Sequence, residues 1–334
     1  MKLNATYIKI RDKWWGLPLF LPSLILPIFA HINTFAHISS GEVFLFYLPL
    51  ALMISMMMFF SWAALPGIAL GIFVRKYAEL GFYETLSLTA NFIIIIILCW
   101  GGYRVFTPRR NNVSHGDSRL ISQRLFWQIV FPATLFLILF QFAAFVGLLA
   151  SRENLVGVMP FNLGTLINYQ ALLVGNLIGV PLCYFIIRVV RNPFYLRSYY
   201  SQLKQQVDAK VTKKEFAIWL LALGALLLLL CMPLNEKSTI FSTNYTLSLL
   251  LPLMMWGAMR YGYKLISLLW AVVLMISIHS YQNYIPIYPG YTTQLTITSS
   301  SYLVFSFIVN YMAVLATRQR AVVRRIQRLA YVDP

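Results

Sequence analysis

The chain has 334 residues, a mean hydropathy of +0.70 and a hydrophobic content of 59%, against roughly 45–50% for a soluble domain. Only 11% of its residues are charged, too few to coat a soluble surface of this size. The net charge of +17 sits on basic residues lying between apolar runs, which is the topology signal of a membrane protein and not a nucleic-acid surface.

The apolar runs recur along the whole chain, so the expected fold is all-α: a polytopic transmembrane bundle whose main partner is the lipid bilayer, with no nucleic acid. Lys2, Lys9, Arg11 and Lys13 precede the first run, as in the n-region of a signal peptide. The run from Trp14 to Ala36 is too long for such a peptide's apolar core and contains Pro18, Pro22 and Pro27. It reads as a retained first helix. A spanning helix needs about 20 apolar residues, and helices are predicted at 14–36, 43–60, 62–76, 82–103, 126–149, 164–187, 216–234, 245–259, 265–281 and 299–317. Ten crossings with both ends in the cytoplasm leave only Arg75, Lys76, Arg152 and Lys237, of 27 basic residues, in outer segments, as the positive-inside rule asks. Reading 43–76 as one crossing would turn the arginines of 104–124 outward. Two crossings meeting at Ser61-Trp62 avoid this, and eight helices with re-entrant pieces is the alternative. Leu48-Pro49-Leu50 and Leu251-Pro252-Leu253 each sit by a methionine-rich stretch, which suggests an internal repeat.

All ten acidic residues lie in or near loops and helix ends, which argues against an ion-coupled pump, since such pumps keep charge at the midplane. Amides and imidazoles remain. His31 and His37 fall toward the outer end of the first helix, His279 at the outer end of the ninth, and Asn91, Gln141, Asn168, Gln170, Asn176 and Asn310 within helices. Such amides serve interhelical hydrogen bonds or line a pocket for a small polar ligand. For the pocket the candidates are His31, His37, Asn168, Tyr169, Gln170, His279 and Tyr284, the last in a tyrosine- and proline-rich outer loop, 281–294. Cys99, Cys183 and Cys231 lie inside or at the ends of apolar runs and read as small buried residues. No metal set, haem motif, Walker loop, GxSxG or HExxH is present, so neither catalytic residue nor cofactor is expected in this chain.

The chain divides into a membrane-integral domain, 1–317, and a cytoplasmic helix, 318–334. Val322, Ile326 and Leu329, at i, i+4 and i+7 on a basic helix, suit a short coiled coil in a homodimer or a juxtamembrane helix on anionic lipid. The final Leu329-Ala-Tyr-Val-Asp333-Pro334 resembles the opening of a GGDEF domain, "L-x-x-x-D-x-LTGL-x-NR", cut mid-motif at a domain boundary. The rest resembles the membrane-associated sensor domain of the MASE family, first type. The features are the Leu48-Pro49-Leu50 helix, Trp62 with Leu65-Pro66-Gly67, and Trp256-Gly-Ala-Met-Arg-Tyr-Gly.

That resemblance implies a sensory and localising input domain in a bacterial inner membrane. Its input would be a small polar ligand or a membrane protein partner. It would serve GGDEF and EAL domains beyond residue 334 that hydrolyse cyclic-di-GMP with a divalent metal, magnesium. It carries no ligand residue over to this chain. A small-molecule transporter is the alternative, which a true repeat would favour. The charge pattern predicts that cysteines placed at Ser114→Cys or Lys204→Cys stay unlabelled by an impermeant maleimide applied outside intact cells. Efficient labelling at either would overturn the topology.

Overall fold

The computed structural model describes residues 13–38, 43–106, 129–151, 163–192, 194–208, 211–231, 243–283 and 291–330. These are α1 (Leu17–Thr34), a two-stranded hairpin of β1 (His37–Ile38) and β2 (Val43–Phe44), α2 (Leu48–Phe60), a 3-10 turn (Ser61–Ala64), α3 (Leu65–Leu80), α4 (Phe82–Phe106), α5 (Phe131–Ser151), α6 (Leu163–Arg191), α7 (Tyr195–Gln206), α8 (Lys213–Cys231), α9 (Thr243–Tyr261), α10 (Tyr263–Asn283) and α11 (Tyr291–Ala330). All ten predicted helices have a counterpart. Exposed side chains such as Phe20, Leu24 and Ile28 on α1, or Leu221 and Leu228 on α8, are the lipid-facing stripes of a bilayer helix.

The described residues form two compact units, one up to Cys183 and one from Tyr184. In the first, the chain reverses twice around α1. Leu48 N–H donates to Asn33 Oδ1 at 3.2 Å, so α2 starts where α1 ends. At the other end a Cβ on Gly67 would meet the Pro18 and Leu19 carbonyl oxygens at 2.6 Å, and one on Gly71 the Pro22 oxygen at 3.0 Å. As α3 advances, its contacts advance along α1, so α2 runs antiparallel to α1 and α3 parallel to it. The apolar stretch Leu48–Leu80, long enough in residues for one span, is therefore two passes meeting at Ser61, a non-glycine residue at φ 53°. Pro22 has no N–H to offer the Pro18 carbonyl four residues earlier. That freed carbonyl lies against Gly67, in a Gly-x-x-x-Gly pair that allows backbone approach. Gly81 turns α3 into α4 at φ 77°, a conformation that favours glycine.

Several boundaries differ from the sequence reading: the last helix starts at Tyr291 instead of residue 299 and the one before it runs to Asn283, so the predicted loop 281–294 is partly helical, and the third helix runs to Leu80 instead of residue 76. The first helix ends at Thr34, and the second starts at Leu48 instead of residue 43, because Pro49 sits in its first turn and 43–47 is extended. His37 therefore lies on a strand, not at the end of the first helix. Residues 195–206, predicted as part of a loop, form α7. The two Leu-Pro-Leu stretches are not equivalent: Pro49 opens α2, whereas Pro252 lies inside α9. Cys99 and Cys183 are buried as expected, but Cys231 is exposed, with its sulfur 3.0 Å from Ser280 Oγ.

In the second unit, Trp219 of α8 donates from Nε1 to the Leu253 carbonyl of α9 at 2.9 Å. Its ring occupies the space where a Gly257 Cβ would stand. α10 and α11 meet along a polar seam, with Trp270 Nε1 donating to Ser306 Oγ at 3.0 Å and Ser277 Oγ lying 3.0 Å from the Tyr302 hydroxyl.

Candidate functional site

The predicted ligand residues of the first unit gather at the hairpin end, and the structure gives most of them structural work. The strands pair antiparallel, His37 opposite Phe44 and Ile38 opposite Val43. From Phe44 onward the backbone is not paired with a further strand, yet Leu45, Phe46 and Leu48 are fully buried. Their donors must therefore find partners inside the protein. Phe44 N–H donates to Asn168 Oδ1 at 3.0 Å, Leu45 N–H to the Ala36 carbonyl at 3.1 Å, Tyr47 N–H to the Ala171 carbonyl at 3.0 Å, and Leu48 N–H to Asn33 Oδ1. α6 accepts this extended backbone along Asn168, Ala171 and Gly175, and the start of α2 at Gly179. A Cβ on Gly175 would stand 2.1 Å from the Tyr47 carbonyl oxygen, and one on Gly179 2.6 Å from the Ala51 Cβ.

Asn168 is thus a backbone clamp. The Tyr169 hydroxyl lies 2.8 Å from Thr134 Oγ1; since Thr134 already donates to the Val130 carbonyl at 2.9 Å, Tyr169 is the donor. Gln170 is buried. The His37 ring lies 4.9 Å from that of Phe44, heading an aromatic column through Tyr47, Phe136 and Phe92. His31 is exposed, its ring edge-on to Phe35 at 5.6 Å. His279 belongs to the second unit, where it is exposed, and Tyr284 lies outside the described residues.

Sequence reasoning missed Asn33, the deeper of the two amide clamps, at 4% exposure. Gly67-x-x-x-Gly71 and Gly175-x-x-x-Gly179 were the readable signal, since spacing of this kind marks close backbone contact in a bilayer. Among the described residues no three His, Cys, Asp or Glu side chains come together as a metal site.

At the basic end of the second unit, α11 runs unbroken for 40 residues and takes in the predicted cytoplasmic helix up to Ala330. Two arginines fasten it. Arg320 donates to the carbonyls of Met259 (2.8 Å) and Arg260 (2.9 Å) at the end of α9, and to that of Gln206 at the end of α7. Arg324 donates to the Gln205 carbonyl and, at 3.4 Å, to that of Val207. The last carbonyls of a helix lack helical partners and carry its negative dipole end, so guanidinium groups suit them.

Gly262, at φ 83°, makes the turn between α9 and α10 possible. Asp208 braces that turn through an ion pair of 3.1 Å with Arg260 and by donating its N–H to the Arg260 carbonyl at 3.0 Å. Burial pushes the Tyr199 phenol above its ordinary pKa, so it stays protonated and donates to the Lys264 carbonyl at 2.8 Å. Val322, between the two clamp arginines, and Ile326, beyond them, are exposed; the Leu329 side chain and Asp333 lie outside the described residues.

The MASE1 family model matches residues 15–320. The chain is similar to the cyclic di-GMP phosphodiesterase PdeF of Escherichia coli (strain K12), 99% identical over all 334 residues, which are 45% of that protein. It is also similar to the probable cyclic di-GMP phosphodiesterase PdeA of the same organism, 24% identical over 96% of the chain and 44% of that protein. The chain thus spans less than half the length of these relatives. No solved structure matches it.

The clamp geometry predicts that Asn33→Leu and Asn168→Leu each destabilise the purified protein by about 1–3 kcal/mol, the cost of an unpaired buried donor. His31→Ala should leave stability nearly unchanged. Melting in detergent, followed by size exclusion, checks this; wild-type melting of both Asn variants would show that neither amide is a clamp.

Proposed function

The chain belongs to the MASE1 family, and from that premise we propose that it is the membrane input domain of a cyclic di-GMP phosphodiesterase, sited in a bacterial inner membrane. It performs no chemistry itself. A divalent metal such as magnesium belongs to the catalytic part of the longer protein, and no residue of this chain is proposed to hold it. The family match separates this reading from that of a transporter, which a bundle of helices alone would also suit.

The observation that carries the proposal is the continuity of α11. It packs in the bundle along its polar seam, passes the Arg320–Arg324 clamp, and continues as a basic helix, with Val322 exposed within the clamp and Ile326 exposed beyond it. In a homodimer those residues, with Leu329, would meet their twins as a short coiled coil. A tilt or rotation of α11 would re-register that contact and reposition the catalytic domains. The input is a small polar ligand or a membrane partner acting at the hairpin end, where His31 is exposed. Coupling requires a two-state element that the input biases. A differential affinity of about 1.4 kcal/mol shifts the ratio tenfold.

The test uses the longer, catalytically complete protein in membranes, with cyclic-di-GMP hydrolysis compared to that of its freed catalytic part. One residue inserted after Arg320 rotates everything downstream by about 100°. It should change that ratio while the freed part's own rate stays as it was. An unchanged ratio would make α11 a tether and leave localisation as the domain's only role.

A further inference from the structure

The second unit holds a pair of cations that neither the clamp nor the signalling helix uses. Arg188 stands in the last turn of α6, its guanidinium carbon 5.0 Å from the Tyr184 ring centroid and 5.7 Å from that of Tyr195. Its Nη2 donates to the Tyr184 hydroxyl at 2.5 Å. Its Nε is buried and has no hydrogen-bond partner among the described residues. Lys264, at the start of α10, holds its ammonium 5.4 Å from the Tyr199 ring centroid, donates to Gln202 Oε1, and feels the repulsion of Arg188. Among the described residues no carboxylate pairs with either; Asp208 and Glu215 both pair with Arg260. Two neighbouring cations partly withdrawn from water, walled by aromatic rings and lacking a counter-charge, are a costly arrangement unless an anion joins them.

We propose that Arg188 and Lys264, enclosed by Tyr184, Tyr195, Tyr199 and Gln202, form a binding site for the phosphate of an anionic phospholipid. A guanidinium's fork of donors matches phosphate oxygens in pairs, and the lysine adds a compact positive charge. The lipid source follows from position. α6 is a long apolar span, so its last turn lies at a bilayer surface. α7 begins just beyond, with Phe194, Leu196 and Tyr200 exposed and Lys204 4.8 Å from the Tyr200 ring centroid. A short helix with exposed aromatic and aliphatic side chains among basic ones lies in the headgroup layer. There an acyl-anchored phosphate reaches the cations without first leaving bulk water.

The test is thermal unfolding of the full chain in detergent, with short-chain phosphatidylglycerol, with phosphatidylcholine of the same chain length, or with inorganic phosphate. Phosphatidylglycerol should raise Tm, and the other two should not. Arg188→Gln with Lys264→Gln should abolish the rise, while Arg104→Gln with Arg318→Gln, which removes equal charge from exposed positions, should preserve it. Should the neutral double variant not fold, Lys264→Gln alone must diminish the rise. Equal shifts with phosphatidylcholine would contradict the site, and an equal shift with inorganic phosphate would make it a site for a soluble anion. An undiminished rise in the neutral variants would overturn the proposal.

Discussion

Within a bilayer no water reaches an unpaired backbone group, and each one left alone costs several kcal/mol. A helix satisfies its own backbone, so the places where this chain leaves the helix decide how the rest is built. From Val43 to Leu48 the backbone leaves the helix, and its donors are satisfied by two asparagine side chains, the Ala36 carbonyl and an α6 carbonyl. At the ends of α7 and α9 the last carbonyls are satisfied by guanidinium groups carried on α11. In both units a break in the ladder has recruited a polar side chain from a distant element.

The two solutions serve different ends. Asparagine clamps beside glycine seats bring backbones together with little freedom left, which suits a scaffold. Arginine clamps are long, and they grip a helix that continues past the bundle. A guanidinium carries five donors in a fork, so one group can hold several last-turn carbonyls at once. The seam between α10 and α11 is built of serine, tryptophan and tyrosine contacts. α11 is thus held by side-chain polar contacts, and the first unit by close backbone approaches at Gly67, Gly71, Gly175 and Gly179.

Much of this was legible in the sequence. Apolar runs located every helix but α7, seven of the described helical stretches being long and apolar enough to span a bilayer, and the charge between them called for two helices within 43–76, which the contacts of Gly67 and Gly71 with α1 bear out. The helical tail of α11 followed from its heptad-like spacing, and its unbroken join to the last spanning helix is seen in the structure. The hairpin was not legible, because residues 43–47 are as apolar as any helix and their extended backbone is imposed by α6. α7 escaped because its polar sequence reads as a loop until Tyr199 finds a buried partner. Asn168 was singled out as an amide at depth, and the structure gives it a backbone partner, Phe44 N–H. Hydropathy shows that an amide lies at depth and says nothing of whether its partner is a ligand or the chain's own backbone. Arg320 and Arg324 read as topology signals because their partners are backbone carbonyls, which have no signature in sequence.

Arg320 and Arg324 set the position of α11 against α7. Distance distributions between spin labels at Lys204→Cys and Arg318→Cys, both exposed positions, measure it most directly, with Cys231→Ser removing the exposed native thiol. One narrow distribution is expected for the chain in nanodiscs, and a broadened or displaced one when Arg320→Gln and Arg324→Gln are combined. A distribution left unchanged by the loss of both guanidinium groups would contradict this role of the arginines.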